Sequence, residues 1–397
     1  MSASVVVVSY RPGDWLEPCL RSVVEQADEV ILVDNGSAGA GASSIGHRLG
    51  AKVLRSATNI GFARAVNLGA RSASGELLAL LNDDATAGPG WLRAAAEVLK
   101  WPDVAAVGPK VVLAQPYREV LLGDQTWKAP GDDRPLGRQV RSVLVDGKEA
   151  LGTAEGPGIH RIEADGQGDC WRWTAGGAPW YVPVGQATSE IFIDGEPAPP
   201  GPLVRLVNTA GAFLDSRGYA GDIGFGAPDD GRFDLGAQRF ALSGVAIVTR
   251  AATWHAIGPF AARFFAYYED VDWCWRANLA GLELRYDPAA TVVHRRSASS
   301  GGEHVPRVRV MAERNRTLAL VRNGPPNLVA KALYDRYRNG PDGGVRAGIA
   351  RRLPWALWTR ATLMRRWQLS PGQVWDRWAG AEVGWGDGPA GEDAYLN

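Results

Sequence analysis

The chain has 397 residues, 46% of them hydrophobic, and its 43 lysines and arginines balance 43 aspartates and glutamates. That length exceeds an average domain and supports a large core, while zero net charge gives no basis for bulk nucleic-acid binding, so no nucleic-acid partner is expected. Three widely separated cysteines, Cys19, Cys170 and Cys274, offer neither a zinc spacing nor a disulfide framework.

Ser4 to Tyr10 (SVVVVSY) reads as a buried first strand, ended by Arg11, Pro12 and Gly13. Asp14 suits an N-cap, and Trp15 to Gln26 places Trp15, Cys19, Leu20, Val23 and Val24 at helical spacing. Glu29 to Val33 is a second buried strand ending in Asp34-Asn35-Gly36-Ser37, which completes a βαβ unit. A dinucleotide fold would carry G-x-G-x-x-G after the first strand; Arg-Pro-Gly stands there and argues against it. Asp34 is placed either to accept from a ribose or base or to form an Asx turn. Ala51 to Arg55 is a third strand. In the following Asn59-Ile60-Gly61-Phe62, Gly61 permits a turn or a close backbone approach. Ala63 to Ala73 looks helical, and an exposed helix N-terminus beside an arginine suits a diphosphate.

Leu77 to Leu81 is an unbroken apolar run, too short for a core helix and without the alternation of a half-exposed strand. It reads as a strand buried on both faces of a parallel sheet. Asn82, Asp83 and Asp84 follow at its carboxyl end, where open α/β sheets bind ligands. Adjacent carboxylates at a buried edge repel each other, and Mg²⁺ or Mn²⁺ shared with substrate phosphates would relieve that. A solvated turn uses the same residue types. Gly90 to Leu99 is a helix and Val104 to Val112 another strand.

From Tyr117 to Pro202, glycine, proline and aspartate punctuate short runs: Val140 to Val145, His160 to Glu163, Trp171 to Thr174, Trp180 to Val184 and Glu190 to Ile193. This spacing predicts a small inserted β-module. Its Trp171, Trp173, Trp180 and Tyr181 serve either its own core or a glycan, and the core has the stronger claim. Leu203 to Asn208 is strand-like, Arg217 to Phe233 reads as a long lid-like loop, and Phe240 to Thr249 as a strand in which Gly244 allows close approach of a ligand.

Phe264 to Ala280 (FFAYYEDVDWCWRANLA) is a second chemical centre. Glu269, Asp270 and Asp272 open a helix that also carries Trp273, Trp275 and Arg276. Acids in a first turn are ordinary dipole chemistry and Asp272 with Arg276 is an ordinary i,i+4 pair, yet carboxylates shielded by aromatics gain basicity. Glu283 to Tyr286 and Thr291 to Val293 read as two strands, with His294 directly after the second. Val308 to Val321 is a helix. Beyond Asn323 the chain turns basic and rich in tryptophan, a composition that fits either an anionic membrane surface or packing against the core. No window approaches the ~18 apolar residues of a membrane span, and no cleavable leader pattern opens the chain. The expected location is cytoplasmic, at most peripheral on the inner face of the membrane through this C-terminal region.

In this order, VVVVSYRP, EVILVDNGS, NIGFARAVNLGA, LLALLNDDA, FFAYYEDVDWCWR, VVHRR and ERNR resemble a family-2 glycosyltransferase of the GT-A fold, close in pattern to bacterial rhamnosyltransferases of the cell envelope. The resemblance implies an α/β fold with a Rossmann-like mixed sheet. Residues 1–116 would be its nucleotide-sugar half, 117–202 an inserted β-rich module, 203–322 its acceptor half, and 323–397 a helical region with a flexible tail after Gly384.

It further implies that Tyr10, Arg11, Asp34, Asn59, Gly61, Phe62, Asn67, Asn82 and Asp83 line the nucleotide-sugar site. Asp84 and His294 would hold Mg²⁺ or Mn²⁺, Asp270 with Glu269 beside it would supply the base, and Gly244, Trp273 and Arg276 would face acceptor or diphosphate. The implied reaction is an inverting transfer from a nucleotide-diphosphate sugar, with dTDP-rhamnose as one donor, to a glycan or lipid-linked hydroxyl. Two departures from the family pattern stand out: Asn82 at the first position of the D-x-D-type element, and the insertion itself. A sugar nucleotidyltransferase would want a glycine-rich first loop, and a non-catalytic glycan-binding protein would not need Asp84 and Asp270 intact.

Overall fold

The computed structural model describes residues 1–39, 41–123, 125–132, 134–165, 168–295, 306–339 and 343–380, so the expected tail after Gly384 lies outside the described residues. The chain divides into two compact units: residues 1–111, 209–223 and 232–397 form the first, and residues 112–208 with 224–231 the second.

The first unit is built on the apolar runs. Strands Ala3–Ser9, Glu29–Asn35, Lys52–Ser56 and Leu77–Asn82 lie parallel, and Ala246–Arg250 joins Leu77–Asn82 antiparallel. Along each buried run, alternate residues serve opposite faces. Val6, Val8, Ile31, Val33, Leu78 and Leu80 feed one core, and Val5, Val7, Val30, Leu32, Leu77, Ala79 and Leu81 the other. Helix Phe62–Ser72 covers the first face; helices Leu16–Val24 and Trp91–Val98 cover the second. This two-sided burial is why these strands lack polar alternation.

Several expectations need correction. Helix Gly41–Arg48 escapes the reading because only Ala42 and Gly46 of it are buried, leaving no apolar stripe. The expected strand from Phe240 to Thr249 is regular only over Ala246–Arg250, the chain kinking at Ser243-Gly244. The two short strands expected after residue 282 are one, Glu283–His294, which pairs with Ala237–Arg239 near its start and Ala85–Ala87 at its end. The Arg217 to Phe233 segment is not structureless: Ala220–Asp222 pairs with Ala212–Leu214.

The C-terminal helices Pro326–Asn339, Gly343–Leu363 and Pro371–Trp378 belong to the first unit. Val345, Ile349 and Ala356 pack with Phe264, Leu318 and Ala319. Arg360 donates to the carbonyls of Val321 and Gly324, and Gln368 N–H to Leu279. Among the described residues no helix is long and apolar enough to cross a membrane.

The second unit is β-rich. One sheet orders Ile159–Ala164, Cys170–Thr174 and Gln139–Val140; another orders Glu196–Pro197, Ile191–Ile193, Val143–Val145 and Lys148–Glu149. Trp180 sits with Val140, Val182 and Ile193 in its core, and Tyr181 is equally buried, so both are packing residues. Trp173 is half-buried and meets the exposed Trp127 edge to face.

Candidate active site

The parallel strands end at one level. Ser9 pairs with Asp34, Val8 with Asn82, and Asp34 with Arg55, so Tyr10, Asp34 and Asn82–Asp84 share the carboxyl edge of the sheet. Tyr10 is half-buried with the Arg11 guanidinium over its ring. Asp34 is fully buried; it accepts from Ser37 N–H at 3.0 Å and Ser43 Oγ at 2.7 Å, with Arg55 Nε at 3.6 Å. The Asx-turn reading of Asp34 therefore describes one of its two oxygens. Asn35 and Asn59 tie the next loop together: Asn35 donates to Asn59 Oδ1, which also accepts from Gly61 N–H. Gly61 has φ +87°, and a Cβ there would lie 2.8 Å from the Phe265 carbonyl oxygen. That carbonyl accepts from Ala63 N–H in the first turn of helix Phe62–Ser72.

Asp84 follows the central strand and precedes Ala85–Ala87, whose Ala85 is in register with His294. This pairing sets His294 Nε2 3.1 Å from Asp84 Oδ1, both side chains being buried. Burial pushes the Asp83 carboxyl up to about 7, with the Asp84 charge adding to the rise. Ser9 lies near enough to favour the ionised form of Asp83, but neither its hydroxyl nor Asp83 Oδ2 completes a hydrogen bond. Asn82 Oδ1 is likewise buried without a partner. Buried polar atoms cost stability unless something pairs with them, so this edge is built for a ligand. Among the described residues no three His, Cys, Asp or Glu side chains cluster tightly enough to hold a metal alone. Asp84 and His294 supply two donors, which fits a hard cation that takes its remaining ligands from phosphate and water.

The second acid cluster reaches the same edge. Asn82 N–H donates to the Val245 carbonyl at 2.9 Å, and one residue back Gly244 N–H donates to Asp270 Oδ2 at 2.7 Å. The kink at Ser243-Gly244 thus links the two clusters through two residues of backbone. A Cβ on Gly244 would lie 3.0 Å from Asp270 Oδ2, so glycine permits the approach. Asp270 Oδ1 accepts from its neighbour Val271 N–H. Glu269 is buried, its Oε2 without a hydrogen-bond partner.

Burial drives both carboxyls of this pair up. Asp270's charge adds to the rise for Glu269, whereas the Gly244 and Val271 amides pull Asp270 back. Asp270 is therefore the member that ionises first. As a residue it is half-buried, whereas Glu269 is buried.

The residues before this pair are strained. Phe265 takes φ 74°, ψ −65°, the rare γ-turn geometry, and Tyr267 and Tyr268 have φ 69° and 68°. Each such residue costs on the order of 1–3 kcal/mol and persists only where its surroundings over-determine it.

Three expected site residues are occupied with packing instead. Asn67 forms a reciprocal pair with the Phe260 backbone. Arg276 donates to Asp272 and to the carbonyls of Ile257, Gly258 and Pro259. Trp273 is buried and stacks on Trp254. Burial alone would raise the Asp272 carboxyl, but Arg322 and Arg276 overcome it and hold it low. The Asp272–Arg322 pair, 2.6 Å apart, ties helix Glu269–Leu279 to helix Pro306–Asn323. A buried arginine on a helix gives the same sequence signal whether it meets a diphosphate or an aspartate.

The sequence profile of glycosyl transferase family 2 matches residues 4–131. The N-acetylglucosaminyl-diphospho-decaprenol L-rhamnosyltransferase of Mycobacterium tuberculosis, in strains CDC 1551 / Oshkosh and ATCC 25618 / H37Rv, is 25% identical over 313 residues. That similarity spans 75% of this chain and 77% of the relative. Among solved structures, GalNAc-T7 with UDP, GalNAc and Mn²⁺ superimposes with a TM-score of 0.54 at 13% identity, covering 91% of this chain and 55% of that one.

Proposed function

We propose that this chain is a family-2 glycosyltransferase with the GT-A fold, and that it transfers a sugar from a nucleoside-diphosphate donor to a hydroxyl with inversion. The observation that carries the proposal is the two-residue link between Asn82 and Asp270 through Val245 and Gly244. One substrate lying along the edge meets a diphosphate-holding cluster at one end and a base at the other.

In this reaction the acceptor O–H gives its proton to Asp270 as its oxygen attacks the anomeric carbon, and the bond to the diphosphate oxygen breaks. Asp270 suits the role because its two backbone donors orient the carboxylate while burial keeps it basic. Protonated Glu269 beside it avoids a second negative charge. At the other end, Asp34 and the Asn35–Asn59 loop face the nucleoside, and Asn82 and Asp83 the diphosphate. Asp84 and His294 would hold Mg²⁺ or Mn²⁺, which supplies charge stabilisation to the leaving diphosphate when bound. A retaining hydrolase would need two opposed carboxyls at fixed separation; here the acids divide into an ion-holding and a proton-taking group.

The donor we infer is a deoxythymidine-diphosphate rhamnose and the acceptor a polyprenyl-diphosphate-linked amino sugar. Similarity to the mycobacterial enzyme along three quarters of both chains supports this. A lipid-linked acceptor also agrees with the exposed Leu357, Trp358 and Met364 beside exposed Arg351 and Arg365 on the C-terminal helices, a make-up suited to an anionic membrane surface. The test is product formation from a panel of nucleotide sugars with polyprenyl-diphospho-N-acetylglucosamine, with and without Mn²⁺. Rhamnosyl transfer that depends on the cation is expected. Transfer of another sugar would overturn the donor assignment, and transfer at full rate in chelator would overturn the metal assignment.

A further inference from the structure

The strained turn before the acid pair is gripped by one side chain outside the sheet edge. Asn315, fully buried in helix Pro306–Asn323, directs its Nδ2 at three carbonyls of that turn: Phe264 at 3.0 Å, Ala266 at 2.8 Å and Tyr267 at 2.8 Å. Its own Oδ1 accepts from Arg314 Nε, and Arg314 also donates to the Phe264 carbonyl. The amide is thereby held in one orientation. The gripped carbonyls are those a left-handed path turns away from ordinary partners, and the path ends where Glu269 and Asp270 open their helix. Downstream, Asp272 N–H bonds to the Tyr268 carbonyl, so the helix start inherits the position of the turn. The same turn meets the nucleotide side through the Phe265 carbonyl and Ala63.

We propose that Asn315 is a positioning residue: it holds the Phe264–Tyr268 turn in its left-handed path and so fixes where the Asp270 carboxylate stands relative to the bound donor. The proposal rests on Asp270 being the base. Asn315 touches no substrate; it sets the base's position through the turn. Nothing in its helix position demands asparagine for packing alone, since Thr317 and Leu318 beside it are buried with ordinary helix and core partners. The two N–H bonds on the single amide nitrogen serve the three converging carbonyls with one hydrogen shared between two of them.

The experiment compares Asn315→Ala with Asn278→Ala, which removes another buried amide at the far end of the catalytic helix. Asn278 donates to the Phe240 and Cys274 carbonyls, far from the turn. Both variants should melt earlier. Asn315→Ala should lose about 100-fold in kcat, the scale on which a misplacement of ~1 Å acts, while its Kd for the nucleotide sugar with Mn²⁺ stays within about twofold. Asn278→Ala should keep kcat within a few-fold at a comparable loss of Tm. If the alanine variant does not fold, Asn315→Ser, which keeps one donor, is read in the same way and should fall between wild type and a dead enzyme. Equal kcat in the Asn315 and Asn278 variants, or a joint loss of kcat and donor affinity, overturns the inference. Asp270→Asn in the same series separates the two readings. A dead Asp270→Asn beside a fully active Asn315→Ala refutes positioning alone, while an active Asp270→Asn refutes the base.

Discussion

Asn82–Asp84 ends a strand whose register is fixed on both sides, by Ala3–Ser9 and by Ala246–Arg250. Glu269–Asp270 follows a turn of left-handed residues held by side chains from another helix. The first cluster is placed by backbone pairing and two-faced burial, which many apolar sequences satisfy. The second is placed by particular polar residues. The strand-end cluster should therefore tolerate substitutions around it, while the helix-start cluster should lose its geometry when single amides or glycines some distance from it are changed.

The largest effect is expected at the strand-end cluster. Asp84→Ala should lower kcat/KM by about 10³-fold, as removal of a transition-state electrostatic contact does, and should cancel any Mn²⁺-dependent rise in Tm with nucleoside diphosphate. Preserved metal dependence would place the ion elsewhere. Between the two ends stands Gly61, whose φ of +87° and approach to the Phe265 carbonyl leave no room for a methyl group. Gly61→Ala should cost about 2 kcal/mol in denaturant unfolding; an unchanged midpoint would mean that the turn moves freely away. Gly244→Ala acts at the helix-start cluster itself. Its new methyl meets Asp270 at a distance the carboxylate can relieve by shifting, so kcat should fall about tenfold with little change in stability.

The smallest effect lies in the pH dependence of stability. Glu269 is raised by burial and by Asp270, so the folded state holds its proton where the unfolded state, with a pKa of about 4.3, has released it. The folded chain then binds more protons, and its stability falls as pH rises above that value. Glu269→Gln removes this term, so the variant should be progressively more stable than wild type as pH climbs from about 4.3 toward neutrality. A constant difference in Tm over that range would mean that Glu269 ionises normally.

The sequence made the nucleotide-side strands legible because Val5 to Val8, Val30 to Val33 and Leu77 to Leu81 feed cores on both faces, a pattern that helices and half-exposed strands do not share. It also brought the two acid clusters forward, since carboxylates beside apolar runs are costly wherever they are not used. It was silent where the signal is a partner far along the chain. Arg276 meets Asp272 as the i,i+4 spacing suggests, but the carbonyls of Ile257, Gly258 and Pro259, which take up its remaining donors, lie 17 to 19 positions back. Asn67 reads as a site residue until Phe260, 193 positions away, closes on it. Asn315 stood inside the quoted ERNR motif, but an asparagine in a helix announces nothing until the carbonyls it faces are in place. Glycine at 244 permits a close approach, yet the approaching group, Asp270, lies 26 residues away, and neither it nor the break in the strand shows in the local sequence.

A division of labour between the two acid clusters requires that Asp270 take the acceptor's proton while Asn82–Asp84 and His294 hold the donor. Single-turnover transfer by Asp270→Asn, preloaded with labelled donor and Mn²⁺ and then given acceptor, measures this directly on one sample. Donor bound at wild-type affinity with transfer slowed by about 10²–10⁴-fold is the predicted result. Transfer at the wild-type rate from the fully loaded variant would contradict it.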